Sequence, residues 1–550
     1  MTTTNSRRRT RLLTAGALTV AVALTAAGIG VANAATDPPA LAFVAATPNV
    51  TALRFDDGEY HYLDFDLGVN LIAGKNPFEI RATRKSYADP IVGQQVVVKN
   101  GKKTRVTLPK GLVTGFSGFK AFTTITIKNK AGATVTSYQT DFCPNAGNTA
   151  RTRRDAPASS PYPRWCAGDN PFALGAVWGI QAGWNATTQD RPNSPDGRDD
   201  SFDLAVGSYT VTVALNQKYR DYFKVPAKSA TVKLNLNVVK YVDDQPQPGP
   251  SGSAAPAQLT ADAKVRMEAA RSQAEPAAGH AAHIAGEGDD SRQISAYLPG
   301  FAPPARRPLA AKAAPKTGPK PDLRSLPAWG ISLEQGTDPK TGENNKKFYV
   351  NFGATVWNAG TSPLLVDGFR RTGTELMDAY QYFFDAKGKQ VGSVPAGTMQ
   401  WDKREGHMHW HFTDFAQYNL LKANKKTATR SGKEAFCLAN TDAVDYTIPN
   451  AKWRPDNTDL STSCGGNTAV AVREVLDVGN GDTYSQARPG QAFEITGLPN
   501  GTYYIEVKAN PANKLSELST KNNSALRKII LGGTASKRTL KVPPVNGIKG

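Results

Sequence analysis

The chain has 550 residues, with 66 Lys and Arg against 47 Asp and Glu, a net charge of +19, and a hydrophobic content of 40%. That much apolar material excludes a disordered chain and suffices for more than one core. The basic excess comes with no nucleic-acid motif and follows an export signal. Nucleic acid is therefore excluded as the expected partner, and acidic cell-wall polymers are the contact that the charge suggests.

Residues 1–34 read as a signal peptide. Arg7, Arg8, Arg9 and Arg11 precede an apolar run from Leu12 to Val31, and Ala32-Asn33-Ala34 is a small-residue cleavage site. The expectation is secretion, by the general route or by a loosely matched twin-arginine signal. Removal of the four arginines takes the net charge to about +15. No later stretch is long and apolar enough for a spanning helix.

Residues 35–242 read as an N-terminal β domain. Tyr209-Thr210-Val211-Thr212-Val213 and Thr231 to Leu236 alternate and are rich in β-branched side chains, and Asp56-Asp57-Gly58 and Lys99-Asn100-Gly101 supply turns. Loops are expected from Asn145 to Arg164 and from Asn185 to Asp200. Residues 243–320 change to Pro, Ala, Gly and Ser and read as a disordered linker, with a short helix near Thr260–Glu275. His280 and His283 lie in that tract, where the ordinary state is solvated. Residues 321–534 return to strand patterning, as in Phe348 to Phe352 and Thr502 to Val507, and residues 535–550 read as a basic tail.

The fold class expected is all-β: two β-sandwich-like domains joined by a Pro/Ala-rich linker. The two halves also echo one another. Ala73-Gly74-Lys75-Asn76-Pro77 parallels Ala359-Gly360-Thr361-Ser362-Pro363, Phe142-Cys143 parallels Phe436-Cys437, Cys166 parallels Cys464, and Gly207-Ser208-Tyr209 parallels Gly501-Thr502-Tyr503. Order and spacing both hold, which points to a duplication. The four cysteines of an exported chain imply two disulfides. Proximity favours Cys143–Cys166 and Cys437–Cys464 among three connectivities.

Three of the six histidines stand at alternate positions, His407, His409 and His411. In an extended strand they share a face, spread over roughly 13 Å, so meeting one ion requires a bend or long-reaching rotamers. Three imidazoles suit copper(II) or zinc better than calcium or magnesium. The first half contains only His61 and so lacks any equivalent site.

Beyond the histidines come Gly432-Lys433-Glu434-Ala435-Phe436-Cys437-Leu438, then Asp482-Thr483-Tyr484, and later Phe493-Glu494-Ile495-Thr496, Gly501-Thr502-Tyr503-Tyr504, Ala509-Asn510-Pro511 and Asn522-Asn523. Taken in order with GHMHWHFTDFAQYNLL, these resemble the lysyl oxidase family over roughly residues 321–530. The resemblance implies that His407, His409 and His411 bind copper. It also implies that Lys433 and Tyr484 are precursors of lysine tyrosylquinone, a cofactor made from the protein itself. The implied activity is oxidative deamination of a primary amine, either peptidyl lysine or a small amine, with molecular oxygen as the oxidant. Asp322, Glu517, Asn522 and Asn523 correspond to a family calcium site and offer oxygen ligands, with Ser519 where an acid is expected. The base is not assigned by the resemblance; Asp482 and Asp414 are near in sequence. The chain departs from the animal enzymes in having fewer cysteines, a longer segment between Lys433 and Tyr484, and Gly406 before the first histidine. The contrasting expectation is a non-catalytic secreted β-sandwich that binds metal or a cell surface.

Overall fold

The computed structural model describes residues 41–56, 61–99, 101–145, 149–167, 170–191, 203–241, 313–337, 344–403, 409–431, 435–455, 464–487 and 491–547. The signal segment, the helix expected near Thr260–Glu275, His280, His283, His407, Lys433 and all but the end of the linker lie outside these residues.

The described chain is almost entirely β, as the alternation predicts. In Gly501–Ala509 the buried positions are Tyr503, Ile505, Val507 and Ala509, every second residue, so one face meets the core. Gly207–Leu215 does the same through Val211, Val213 and Leu215. The one α-helix among the described residues, Gln217–Phe223, is a short connection that buries Tyr219 and Phe223. Two local expectations are corrected. Asn185–Thr187, expected as loop, is a short strand on Val69–Ala73. Lys537–Lys541, expected as tail, pairs with Ser524–Thr534, because Gly533 at φ +82° turns the chain back.

The same antiparallel order recurs in both halves. In the first, Thr231–Lys240, Gly207–Leu215, Phe119–Asn129 and Thr134–Phe142 lie side by side. In the second, Ser524–Thr534, Gly501–Ala509, Ala416–Lys422 and Thr427–Arg430 do so. Tyr209 donates its hydroxyl hydrogen to the Ala205 carbonyl at 2.8 Å, and Tyr503 donates to that of Pro499 at 2.9 Å. This correspondence is what duplication of one unit would produce.

Each half has its own large core, and two smaller clusters join them. Phe172 packs with Leu326, Trp357 and Val444, and Tyr162 and Val177 pack with Tyr446. Backbone bonds cross as well: Leu174 N–H to the Val444 carbonyl at 2.7 Å and Tyr446 N–H to the Gly175 carbonyl at 2.9 Å. A Cβ at position 175 would stand 2.3 Å from Asp445 Oδ1, so any larger residue there has to displace the Asp445 and Thr447 side chains.

Candidate metal centre and its surroundings

Trp410–Thr413 is a short strand held against Gln390–Trp401, with His411 opposite Gln400. Alternation sends Trp410 and Phe412 into the core, at 0% and 1% exposure, and gives the other side to His409 and His411. Trp410 is fixed by an Nε1–H bond to the Gly466 carbonyl (3.1 Å) and by Arg370 lying 5.2 Å from its ring. A strand anchored so firmly on one face holds its imidazoles firmly on the other.

His409 and His411 converge. Their Nε2 atoms are 2.7 Å apart, with the rings at 74°. Nitrogens each about 2.0 Å from one ion lie roughly 2.8 Å apart at a right angle and roughly 3.3 Å apart at a tetrahedral angle. The observed 2.7 Å is also an ordinary N–H···N hydrogen-bond distance, so it brings the two nitrogens within reach of one ion without selecting the metal. The other nitrogen of His411, Nδ1, is 3.3 Å from Asp402 Oδ2, and the His409 carbonyl accepts the Asp402 N–H at 3.1 Å. A carboxylate on the far nitrogen fixes the tautomer and frees Nε2 to ligate. Among the described residues no three His, Cys, Asp or Glu side chains group around a metal, and His407 is outside them. The two imidazoles that are described therefore fit one ion as a partial set of donors.

Tyr484 lies on Asn480–Ser485, paired with Asn344–Asn358. It is buried, donates its hydroxyl hydrogen to the Cys437 carbonyl, and meets Phe436 edge-on at 5.0 Å. Cys437 is joined to Cys464, and the Cys464 carbonyl accepts the Trp410 N–H at 3.1 Å. That disulfide ties the Tyr484 surroundings to the histidine strand. The second disulfide, Cys143–Cys166, lies in the first half. Of the described residues flanking Lys433, Phe436 touches the Tyr484 ring and Ser431 Oγ lies 3.4 Å from Oε1 of Gln486, two residues beyond Tyr484.

The two acids near in sequence are placed differently. Asp414 is exposed and paired with Lys514 at 2.6 Å. Asp482 is buried, on the Tyr484 strand. Beside it is Glu474, which pattern reading missed because it sits in an ordinary alternating strand, Ala471–Leu476. Its Oε2 accepts the Leu438 N–H at 2.8 Å and it also takes the Phe412 N–H. Burial, reinforced by Asp482, raises its carboxyl well above the usual range. Asp402 was missed too, since nothing local distinguishes it from a solvated aspartate.

The residues expected to hold calcium do come together. Asn522 Nδ2 donates to both Asp322 oxygens (3.2 and 3.1 Å), and Asn523 Nδ2 donates to Glu517 Oε1 (2.8 Å). Asn522 Oδ1 and Asn523 Oδ1 are buried with no partner among the described residues. These are oxygen donors of the kind a hard cation takes, although Asp322 Oδ2 is already paired with Arg324 Nε at 2.9 Å and Glu517 accepts from Asn510 Nδ2 at 2.7 Å and from the Leu323 N–H at 2.8 Å.

Together these features define an all-β protein whose C-terminal half presents paired imidazoles, a backing carboxylate and a buried tyrosine. Residues 384–539 match the lysyl oxidase family model, and in this region the chain is similar to that family. It is 30% identical to human protein-lysine 6-oxidase over 125 residues, covering 22% of this chain and 26% of that protein. It is 29% identical to mouse lysyl oxidase homolog 4 over 131 residues, covering 23% of this chain and 15% of that protein. The chain thus spans well under half the length of these relatives.

Proposed function

We propose that the protein is a secreted, copper-dependent amine oxidase, converting a primary amine, O2 and water to aldehyde, ammonia and hydrogen peroxide. The observation that carries this reading is the 2.7 Å approach of His409 and His411 with Asp402 behind it, inside a lysyl oxidase region. His407, His409 and His411 would hold the copper, and Lys433 and Tyr484 would supply the lysine tyrosylquinone. When present, that cofactor accepts the electrons of amine oxidation and passes them to oxygen.

The chain's own residues set the conditions. Phe436 and the Cys437 carbonyl hold the Tyr484 ring in one orientation. Glu474 and Asp482, both buried, form a carboxyl pair able to hold a proton at the site, whereas Asp414 faces solvent. Burial of Trp410, Phe412 and Phe436 keeps water from the core face of the strand, and His411 is itself buried on the other. The substrate would be a peptidyl lysine or a small amine. The oxygen-rich cluster of Asp322, Glu517, Asn522 and Asn523 would take calcium. Export would follow the N-terminal signal, and the basic surface would favour acidic cell-wall polymers. Among the described residues no helix is long and apolar enough to cross a membrane.

The test is a mass spectrum of copper-loaded protein, together with its reaction with phenylhydrazine. A Lys433–Tyr484 cross-linked peptide and a hydrazone adduct are expected. Full copper loading with neither would sink the oxidase reading and leave a non-catalytic metal-binding β protein.

A further inference from the structure

Away from the histidines, the junction of the two halves contains a crevice of about 310 Å³. Tyr87 and Phe172 line it from the first half, and Trp329, Ile331, Arg527 and Val545 from the second. Its one charged lining residue is Arg527. On Ser524–Thr534 this arginine takes the same register as Ile529 and Leu531, which are 0% and 1% exposed, so it stands on the face that elsewhere feeds the core. A cation in that register is rarely left without an acid.

Arg527 has none. Its Nε and Nη1 are sealed from solvent and donate to no group among the described residues. Its guanidinium lies 5.9 Å from the Phe172 ring, the outer limit of a useful cation–π contact. Burial lowers its pKa and no neighbouring carboxylate restores it. Behind the same wall Arg84 donates to the carbonyls of Ala173 (2.9 Å), Tyr87 (3.4 Å) and Pro171, again with no acid. Two guanidiniums and no carboxylate make the crevice electropositive, while its walls are aromatic and aliphatic.

We propose that this crevice binds a small organic carboxylate with a flat apolar body. The carboxylate meets Arg527 at Nη2, the guanidinium nitrogen that is not sealed, and the body lies between Tyr87, Phe172 and Trp329. The volume suits a single-ring acid. Apolar walls disfavour phosphate or sulfate, whose further oxygens would find no donors there. A positively charged ligand is repelled by Arg527. Because the walls come from both halves, occupancy clamps them together and stabilises the folded chain. The assignment does not depend on the oxidase reading.

The probe is 4-fluorobenzoate, titrated into the full chain and followed by fluorine NMR line broadening, with 4-fluorobenzamide as the neutral isostere. Saturable broadening by the benzoate is expected. It should be at least about tenfold weaker for the amide, as loss of a charge-assisted hydrogen bond implies. Arg527→Met should abolish it without lowering the melting temperature, since it removes an uncompensated cation. Equal broadening by acid and amide, which requires no variant, would overturn the proposal. So would undiminished benzoate binding in Arg527→Met, or displacement by inorganic phosphate at equal concentration.

Discussion

Thr355 Oγ1 lies 2.6 Å from Thr483 Oγ1, deep in the second half and immediately beside Tyr484. Thr483 gives its one hydroxyl proton to Asp442, so the proton between the threonines comes from Thr355. Besides that donation Thr355 accepts twice, from Asn170 Nδ2 at 2.9 Å and from Trp329 Nε1 at 3.2 Å. The chain of donors thus runs in one direction, from the first half to an acid behind the Tyr484 strand.

Thr355→Val keeps the shape and removes the hydroxyl. It strands two donors and leaves Thr483 without its incoming proton, at a cost of about 1–3 kcal/mol. Thr355→Ser keeps the relay and should recover most of that loss. Urea denaturation of the two variants checks the expectation, and equal midpoints for Val and Ser would remove the hydroxyl from the account.

Asp402 lies 3.3 Å from His411 Nδ1, and in the proposed copper site it would orient that histidine without ligating. Asp402→Asn should weaken copper binding by about 10–100-fold, the usual effect of losing a carboxylate behind a ligating histidine. His411→Ala should abolish stoichiometric binding. Competition titration against a chelator measures both.

Lys433→Ala and Tyr484→Phe should each eliminate the cross-linked peptide and the phenylhydrazine adduct while copper remains bound. Tyr484→Phe should also lose about 1 kcal/mol of stability, since its hydroxyl bonds the Cys437 carbonyl. An adduct that survives either substitution would place the quinone elsewhere.

Glu474 supplies a pH signature. Burial raises its carboxyl, so the folded chain holds this proton more tightly than the unfolded chain does. Its stabilising contribution is complete below the unfolded value of about 4.3 and is lost as pH rises through the folded value. Glu474→Gln should therefore stabilise the copper-free protein at pH 8 relative to wild type and have little effect at pH 4. Denaturant midpoints at the two pH values measure it, and parallel curves would show that Glu474 ionises freely.

Much of the fold was legible because strand formation is local. The alternation in Gly501–Ala509 and Gly207–Leu215 is visible residue by residue and reappears as burial. The strand at Lys537–Lys541 escaped because its residues are basic and its pairing comes from a neighbouring strand. At the site, the every-second-residue histidines marked a shared face, but not whether the rings could meet. The bonding of Asp402 to His411 and the burial of Glu474 beside Asp482 have no local pattern at all.

The sequence by itself determined an all-β chain, two halves of matching order, a histidine face and cysteines close enough to pair. Each follows from short-range spacing along the backbone. Only the tertiary structure decided that two imidazoles converge, that Asp414 faces solvent while Asp482 is buried, and that Asn170 reaches Thr355 across 185 residues. Those outcomes depend on strand register and on the packing of one half against the other. Both are set by burial summed over whole sheets and by no single motif.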